Sequence, residues 1–146
     1  MTGWRRRWMI AWCWAVGLFG AVVTGAAAQA TDAPARLLFG IMGGWGSPEM
    51  TPHLRFATAL MGAVTLGWAL TLIVAVRAAD RLGAPVWRGL TAALLVWFVV
   101  DSALSIVTGF ALNALSNAVI LAAYLVPVWS GGVSGGKGGA ASARVV

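Results

Sequence analysis

Four apolar runs organise the chain, all free of charge except the third, which carries only Arg88 and Asp101, and each is close to the roughly 20 residues that a helix needs to cross a hydrocarbon core. They cover residues 8–28, 56–76, 86–108 and 111–129. Arg55 and Arg77 bound the second, which rises roughly 32 Å at 1.5 Å per residue and, with its flanks, predicts a span over about 54–78. The third and fourth follow without a charged break. Between them TGFALNALSN supplies Gly109, Asn113 and Asn117, which predicts a tight hairpin rather than one very long helix. Thr51 suits an N-cap with Pro52 at the first helical position. At the far end of that helix, RLGAP offers Gly83 for a left-handed cap and Pro85 as a stop. The predicted fold is all-α and integral to a membrane: an antiparallel four-helix transmembrane bundle, up-down-up-down, over residues 1–130.

Polar sequence is confined to two places. Residues 31–53 form an outer loop in which PARLLFGIM is expected as a short interfacial helix before GGWGSP. Residues 131–146 form a Gly/Ser-rich tail expected to be disordered and cytoplasmic. Neither is long or apolar enough to hold a folded domain.

Composition agrees with a bilayer as solvent: of 146 residues 60% are hydrophobic and 10% charged, with mean hydropathy +0.86. A net charge of +6 does not indicate nucleic acid, because the basic residues cap apolar segments instead of forming a stripe. Arg5, Arg6, Arg7, Arg77, Arg81, Arg88, Lys137 and Arg144 fall on one side of the predicted topology. Only Arg36 and Arg55 fall on the other. Short Lys/Arg-rich loops stay cytoplasmic, so both termini are expected inside. Trp4, Trp8, Trp87 and Trp129 near the inner boundary and Trp45 in the outer loop fit aromatic belts, whereas Trp68 and Trp97 lie deeper and read as packing residues. Arginine in place of lysine, with abundant Ala, Gly, Val and Trp, suggests a GC-rich bacterial genome, and hence a multi-pass protein of the cytoplasmic (inner) membrane.

The first run has a second reading. A basic start, an apolar middle and Ala28-Gln29-Ala30 make residues 1–30 an acceptable signal peptide. Its uncharged stretch is longer than a signal core of about 7–15 residues, and it is rich in tryptophan. Gly17, Ala21 and Gly25 also form a small-residue ridge of the kind that lets membrane helices approach closely. The same spacing recurs in Ala59, Ala63 and Gly67 and in Ala114, Ala118 and Ala122. All three ridges are expected to serve packing within the bundle.

One residue stands out chemically. Asp101, in FVVDSALSIV, is the only charged side chain between Arg88 and Lys137. A carboxylate near the centre of a span costs about 2.5–3.5 kcal/mol on insertion scales, so it should face the bundle and find partners. It shares a helical face with Ser105 and Thr108. Folding the hairpin about position 110 brings that stripe against Asn113, Ser116 and Asn117, and Arg55 begins the neighbouring span at the same surface. Two readings stay open: a titrating or solute-binding carboxylate in an outward-facing polar cluster, and a hydrogen-bonded hairpin lock that does no chemistry.

Other candidates carry less. His53 follows Glu49 by four positions, too few ligands for a metal site and interrupted by Pro52. Cys13, the only cysteine, reads as apolar filling. No Ser/His/Asp set, phosphate loop or CxxC occurs, so no cofactor is expected and an enzyme is the last-ranked class.

The layout of residues 1–130, with GAVTLGW, VWFVVDSALS and NALSN along it, resembles the small four-span bacterial membrane proteins grouped with the DoxX- and BphX-like families. That resemblance is one of architecture and implies no site residues. The expected function is structural or accessory, through helix contacts with the lipid bilayer, a second copy or a membrane-protein partner. The alternative is a minimal transporter, or proton- or solute-binding protein, using Asp101.

Overall fold

Helix boundaries fall where backbone chemistry changes. The computed structural model of the protein describes residues 3–43 and 49–130. In it five α-helices follow one another: α1 (Gly3–Thr24), α2 (Ala33–Met42), α3 (Pro52–Leu82), α4 (Ala84–Val107) and α5 (Ala111–Trp129). Two 3-10 turns, Gly25–Ala27 and Gln29–Thr31, join α1 to α2. No strand occurs among the described residues. Four helices are long and apolar enough to cross a membrane: α1 with its first 3-10 turn, α3, α4 and α5. The segment PARLLFGIM lies within α2. Trp45, the rest of GGWGSP apart from Gly43, and the tail with Lys137 and Arg144 lie outside the described residues.

Thr51 opens α3 by accepting the Leu54 N–H on its side chain at 3.3 Å, with Pro52 at the first helical position, where its missing N–H costs nothing. The helix runs on to Leu82, because nothing before Gly83 can stop it. Gly83 does not take the left-handed cap expected of it: φ is 82° but ψ is −154°, a conformation open essentially to glycine alone. Pro85 then sits in the first turn of α4 instead of serving only as a stop, so one residue joins the two helices.

The α4–α5 connection is equally short. Phe110 N–H bonds to Ser105 O at 2.7 Å and Gly109 N–H to Ile106 O at 3.1 Å, with Gly109 at φ 86°. This paired pattern is a Schellman motif, which satisfies the last carbonyls of α4 from the backbone alone. Asn113 and Asn117, expected to help form the turn, instead lie inside α5. Their amides are left available for other partners.

Packing pairs α1 with α3 and α4 with α5. Between α1 and α3 the backbones nearly touch. A Cβ added at Gly62 would sit 2.4 Å from Thr24 N, and one at Gly20 would sit 2.6 Å from Leu66 N. The contact ridges are therefore Gly17, Gly20 and Thr24 on α1 against Gly62, Leu66 and Ala69 on α3. They differ from the expected rows, since Ala21, Ala63 and Gly67 are exposed. On α5 the buried face is Asn117, Leu121, Tyr124 and Val128, and Ala122 is exposed. Small-residue spacing marks several faces of an alanine-rich helix, and only the partner's position selects one.

One core joins all four long helices, with Met9 and Cys13 of α1 fully buried against Leu72, Val76, Ala79, Leu94 and Tyr124. Trp68 and Trp97 pack ring to ring at 5.6 Å, and so do Trp12 and Tyr124. Along α5, Pro127 lacks the N–H that would bond Ala123 O, and the Trp8 indole donates to that carbonyl at 2.9 Å. Trp12 donates to Ile120 O at 3.1 Å, and Arg5 to Ser130 O. One edge of α1 thus supplies donors to the final turns of α5.

Candidate functional site

The polar cluster is built by the short α4–α5 turn, which sets Asp101 opposite the first two turns of α5. Asp101 Oδ2 accepts hydrogen bonds from Asn117 Nδ2 at 2.5 Å and Asn113 Nδ2 at 3.2 Å. Asn113 Nδ2 also reaches Ser105 Oγ at 2.8 Å, and Asn117 Nδ2 reaches Ser102 Oγ at 3.4 Å. Ser105 returns its own proton to Asp101 O at 2.7 Å. Asn117, Ser102 and Ser105 are buried, while Asp101 and Asn113 are half-buried. Two amides donate to one carboxylate oxygen and two serine hydroxyls accept from the same amides, all from one hairpin.

Asp101, Ser105, Asn113 and Asn117 thus come together, and three other candidates do not. Thr108 turns back onto its own helix, donating to Leu104 O at 2.8 Å, and Ser116 does the same to Leu112 O at 3.2 Å. A hydroxyl in an apolar helix satisfies itself on the preceding turn when no partner lies within reach. Arg55 is also absent from the cluster, because all its nitrogens are engaged elsewhere. Nη2 is 2.7 Å from Asp32 Oδ2, Nε donates to Met50 O at 3.0 Å and Nη1 to Ala26 O at 3.3 Å. Ser102 went unnoticed in the sequence although it adjoins Asp101. Its position three residues before Ser105 was the available signal.

Asp32 is the second unforeseen element. Only 4% exposed, it pairs with Arg55 and, through Oδ1 at 3.0 Å, with Arg36 Nε one turn along α2. The Arg36 hydrogen bond is the main influence holding the Asp32 carboxyl below the ordinary carboxylate range. Burial opposes it, and the Arg55 hydrogen bond and both positive charges add to the lowering. This triad fastens the start of α2 to α3 and to the end of α1. At the other end of α2, Gly43 lies against the Phe110 ring of the α4–α5 turn.

The remaining candidates separate. Glu49 precedes the start of α3 and His53 lies within it, both exposed, so they share no helical face. Among the described residues no three His, Cys, Asp or Glu side chains converge on a metal-sized site. Cys13 is buried among apolar side chains. Tyr124, which no sequence motif marks, ties α5 to α4 through Thr91 Oγ1 at 3.0 Å.

Chemically, the Asp101 cluster offers one carboxylate, two amides and two hydroxyls, with no second acid or histidine. That set can hold a proton or a small polar group, or simply lock the hairpin. No protein-family model, curated protein or solved structure matches the chain, so the functional reading rests on residue geometry alone.

Proposed function

We propose that the protein is a small multi-pass protein of the bacterial cytoplasmic membrane, structural or accessory in role, acting through helix contacts with a second copy or a membrane-protein partner. The observation that carries this reading is the engagement of Asp101 by its own hairpin: Asn113 and Asn117 direct both amides at one carboxylate oxygen. An intramembrane carboxylate satisfied in this way holds two helices in register without needing a ligand.

The topology is an antiparallel up-down-up-down bundle with both termini inside. Supporting it, Gly17 meets Ala69 while Thr24 meets Gly62, so α1 and α3 run in opposite order, and Trp8 and Arg5 meet the end of α5. Arg5, Arg6, Arg7, Arg77, Arg81 and Arg88 then share one end, the cytoplasmic one. Helix α1 belongs to the mature bundle, since removing it would uncover Gly62, Val76 and the Ala123 carbonyl; N-terminal sequencing of the purified protein checks this. The resemblance to the small four-span proteins grouped with the DoxX- and BphX-like families belongs to this proposal and is one of layout alone.

Two measurements test the function. Carbonate-washed membranes should retain the protein, and proteoliposomes loaded with a pH-sensitive dye should show no proton flux above empty vesicles. A flux that Asp101→Asn abolishes would sink the accessory reading in favour of proton or solute transfer. The half-exposure of Asp101 is the observation that favours that alternative.

A further inference from the structure

A cleft of about 210 Å³ opens between α4 and α5 at the arginine-rich end, lined by Trp87, Arg88, Thr91, Leu95, Val128 and Trp129. Its character changes along its length. Arg88 is at one end, whereas Leu95, roughly 10 Å further along α4, is aliphatic. Trp129, 70% exposed, forms part of the lining.

Two donors in this cleft are uncommitted. Arg88 makes no hydrogen bond or ion pair with another described residue, and the indole N–H of Trp87, a residue only 3% exposed, has no acceptor among them. Thr91 offers nothing further, because its hydroxyl is shared between Trp87 O at 2.9 Å and Tyr124 OH at 3.0 Å. No carboxylate lines the cleft to neutralise the arginine. A guanidinium fork next in sequence to an indole N–H that has no acceptor among the described residues, yet is not a buried unsatisfied atom, suits a phosphate oxygen, and the aliphatic body suits a hydrocarbon chain.

We propose that this cleft binds one anionic phospholipid, with its phosphate on Arg88 and the Trp87 indole and one acyl chain along Leu95 and Val128. Basic pockets between membrane helices at the cytoplasmic side hold anionic headgroups by this combination of charge and apolar contact. Arg77 and Arg81 are on α3, line no part of the cleft and supply only diffuse attraction. The inference rests on the membrane reading, which fractionation tests before any lipid is added: protein found outside the membrane fraction sinks that reading as a whole.

The direct test titrates delipidated protein in detergent with phosphatidylglycerol or phosphatidylcholine, counting bound lipid by native mass spectrometry and checking helicity by circular dichroism. Wild type should retain phosphatidylglycerol about tenfold better than phosphatidylcholine. Arg88→Gln should remove most of that preference, Arg81→Gln should leave it intact, and Leu95→Trp, which fills the apolar part, should weaken retention with Arg88 still present. Equal retention of the two lipids, or equal loss in Arg81→Gln and Arg88→Gln, overturns the site. Displacement of phosphatidylglycerol by millimolar inorganic phosphate would identify a free-phosphate site and overturn the lipid assignment.

Discussion

The Trp8 indole N–H lies 2.9 Å from the Ala123 carbonyl, the acceptor that Pro127 leaves without a helical partner four residues later. A defect in one helix is thereby mended by the first helix of the chain. Trp8→Phe keeps the ring and removes the donor. It should lower stability by about 1 kcal/mol, the usual net worth of such a bond. In a Pro127→Ala background, where a backbone N–H again serves Ala123 O, the same change should cost less. Thermal unfolding of the four proteins in detergent measures the coupling, and additive effects would refute it.

Gly62 and Gly67 give a second contrast. Both are small residues on α3, but an added Cβ would meet Thr24 N at 2.4 Å at the first and nothing within 4 Å at the second. Gly62→Ala should push α1 from α3 and destabilise by roughly 1–3 kcal/mol, the range for overpacking. Gly67→Ala should be neutral or slightly stabilising, since alanine is the better helix former. Equal melting temperatures for the two variants would show that the backbone contact is not what holds these helices.

For the hairpin lock the order of variants matters more than any single value. Asp101→Asn keeps an acceptor oxygen for Asn113 and Asn117 and should fold, insert and lose only about 1 kcal/mol. Asp101→Leu leaves Asn113 and Asn117 only their bonds to Ser105 and Ser102, and should cost more, roughly 1–3 kcal/mol in all for the donors that lose the carboxylate. Expression level and unfolding temperature should therefore rank wild type, Asn, then Leu. If the Asn variant proves as damaged as the Leu variant, the lock requires the negative charge.

Asp32 should confer acid sensitivity. Its folded carboxyl titrates below the ordinary range, chiefly through Arg36, so its contribution is complete above about pH 4 and is lost as pH falls through the lowered folded value. The melting temperature of wild type should exceed that of Asp32→Asn at pH 7, and the gap should shrink as pH falls below about 4 and through the lowered folded value. Parallel curves for the two proteins would remove the ion triad from the account.

Much of this was legible along the chain. Charge-free length is a local property, so four apolar helices, the Thr51 cap and the turn at Gly109 could be read directly from spacing. The partners of Asp101 were partly legible too, because a one-turn hairpin is nearly a local structure: Ser105, Asn113 and Asn117 follow from counting about position 110. Arg55 departs from its expected place beside Asp101 for the opposite reason. Its partner, Asp32, is joined to it by a loop whose path no periodicity describes, and a long side chain pairs with whichever charge the fold brings first.

By itself, then, the sequence determined four helices long and apolar enough to cross a membrane and much of the α4–α5 polar stripe, because hydropathy, capping and turn chemistry act over a few residues. Tertiary structure alone decided which small residues carry the α1–α3 contact, that Trp8 completes the helix broken by Pro127, and that Arg88 and the Trp87 indole have no partner among the described residues. Each of those depends on distances between segments far apart in the chain. Where a helix is apolar on several faces, the hydrophobic pattern does not say which one turns inward.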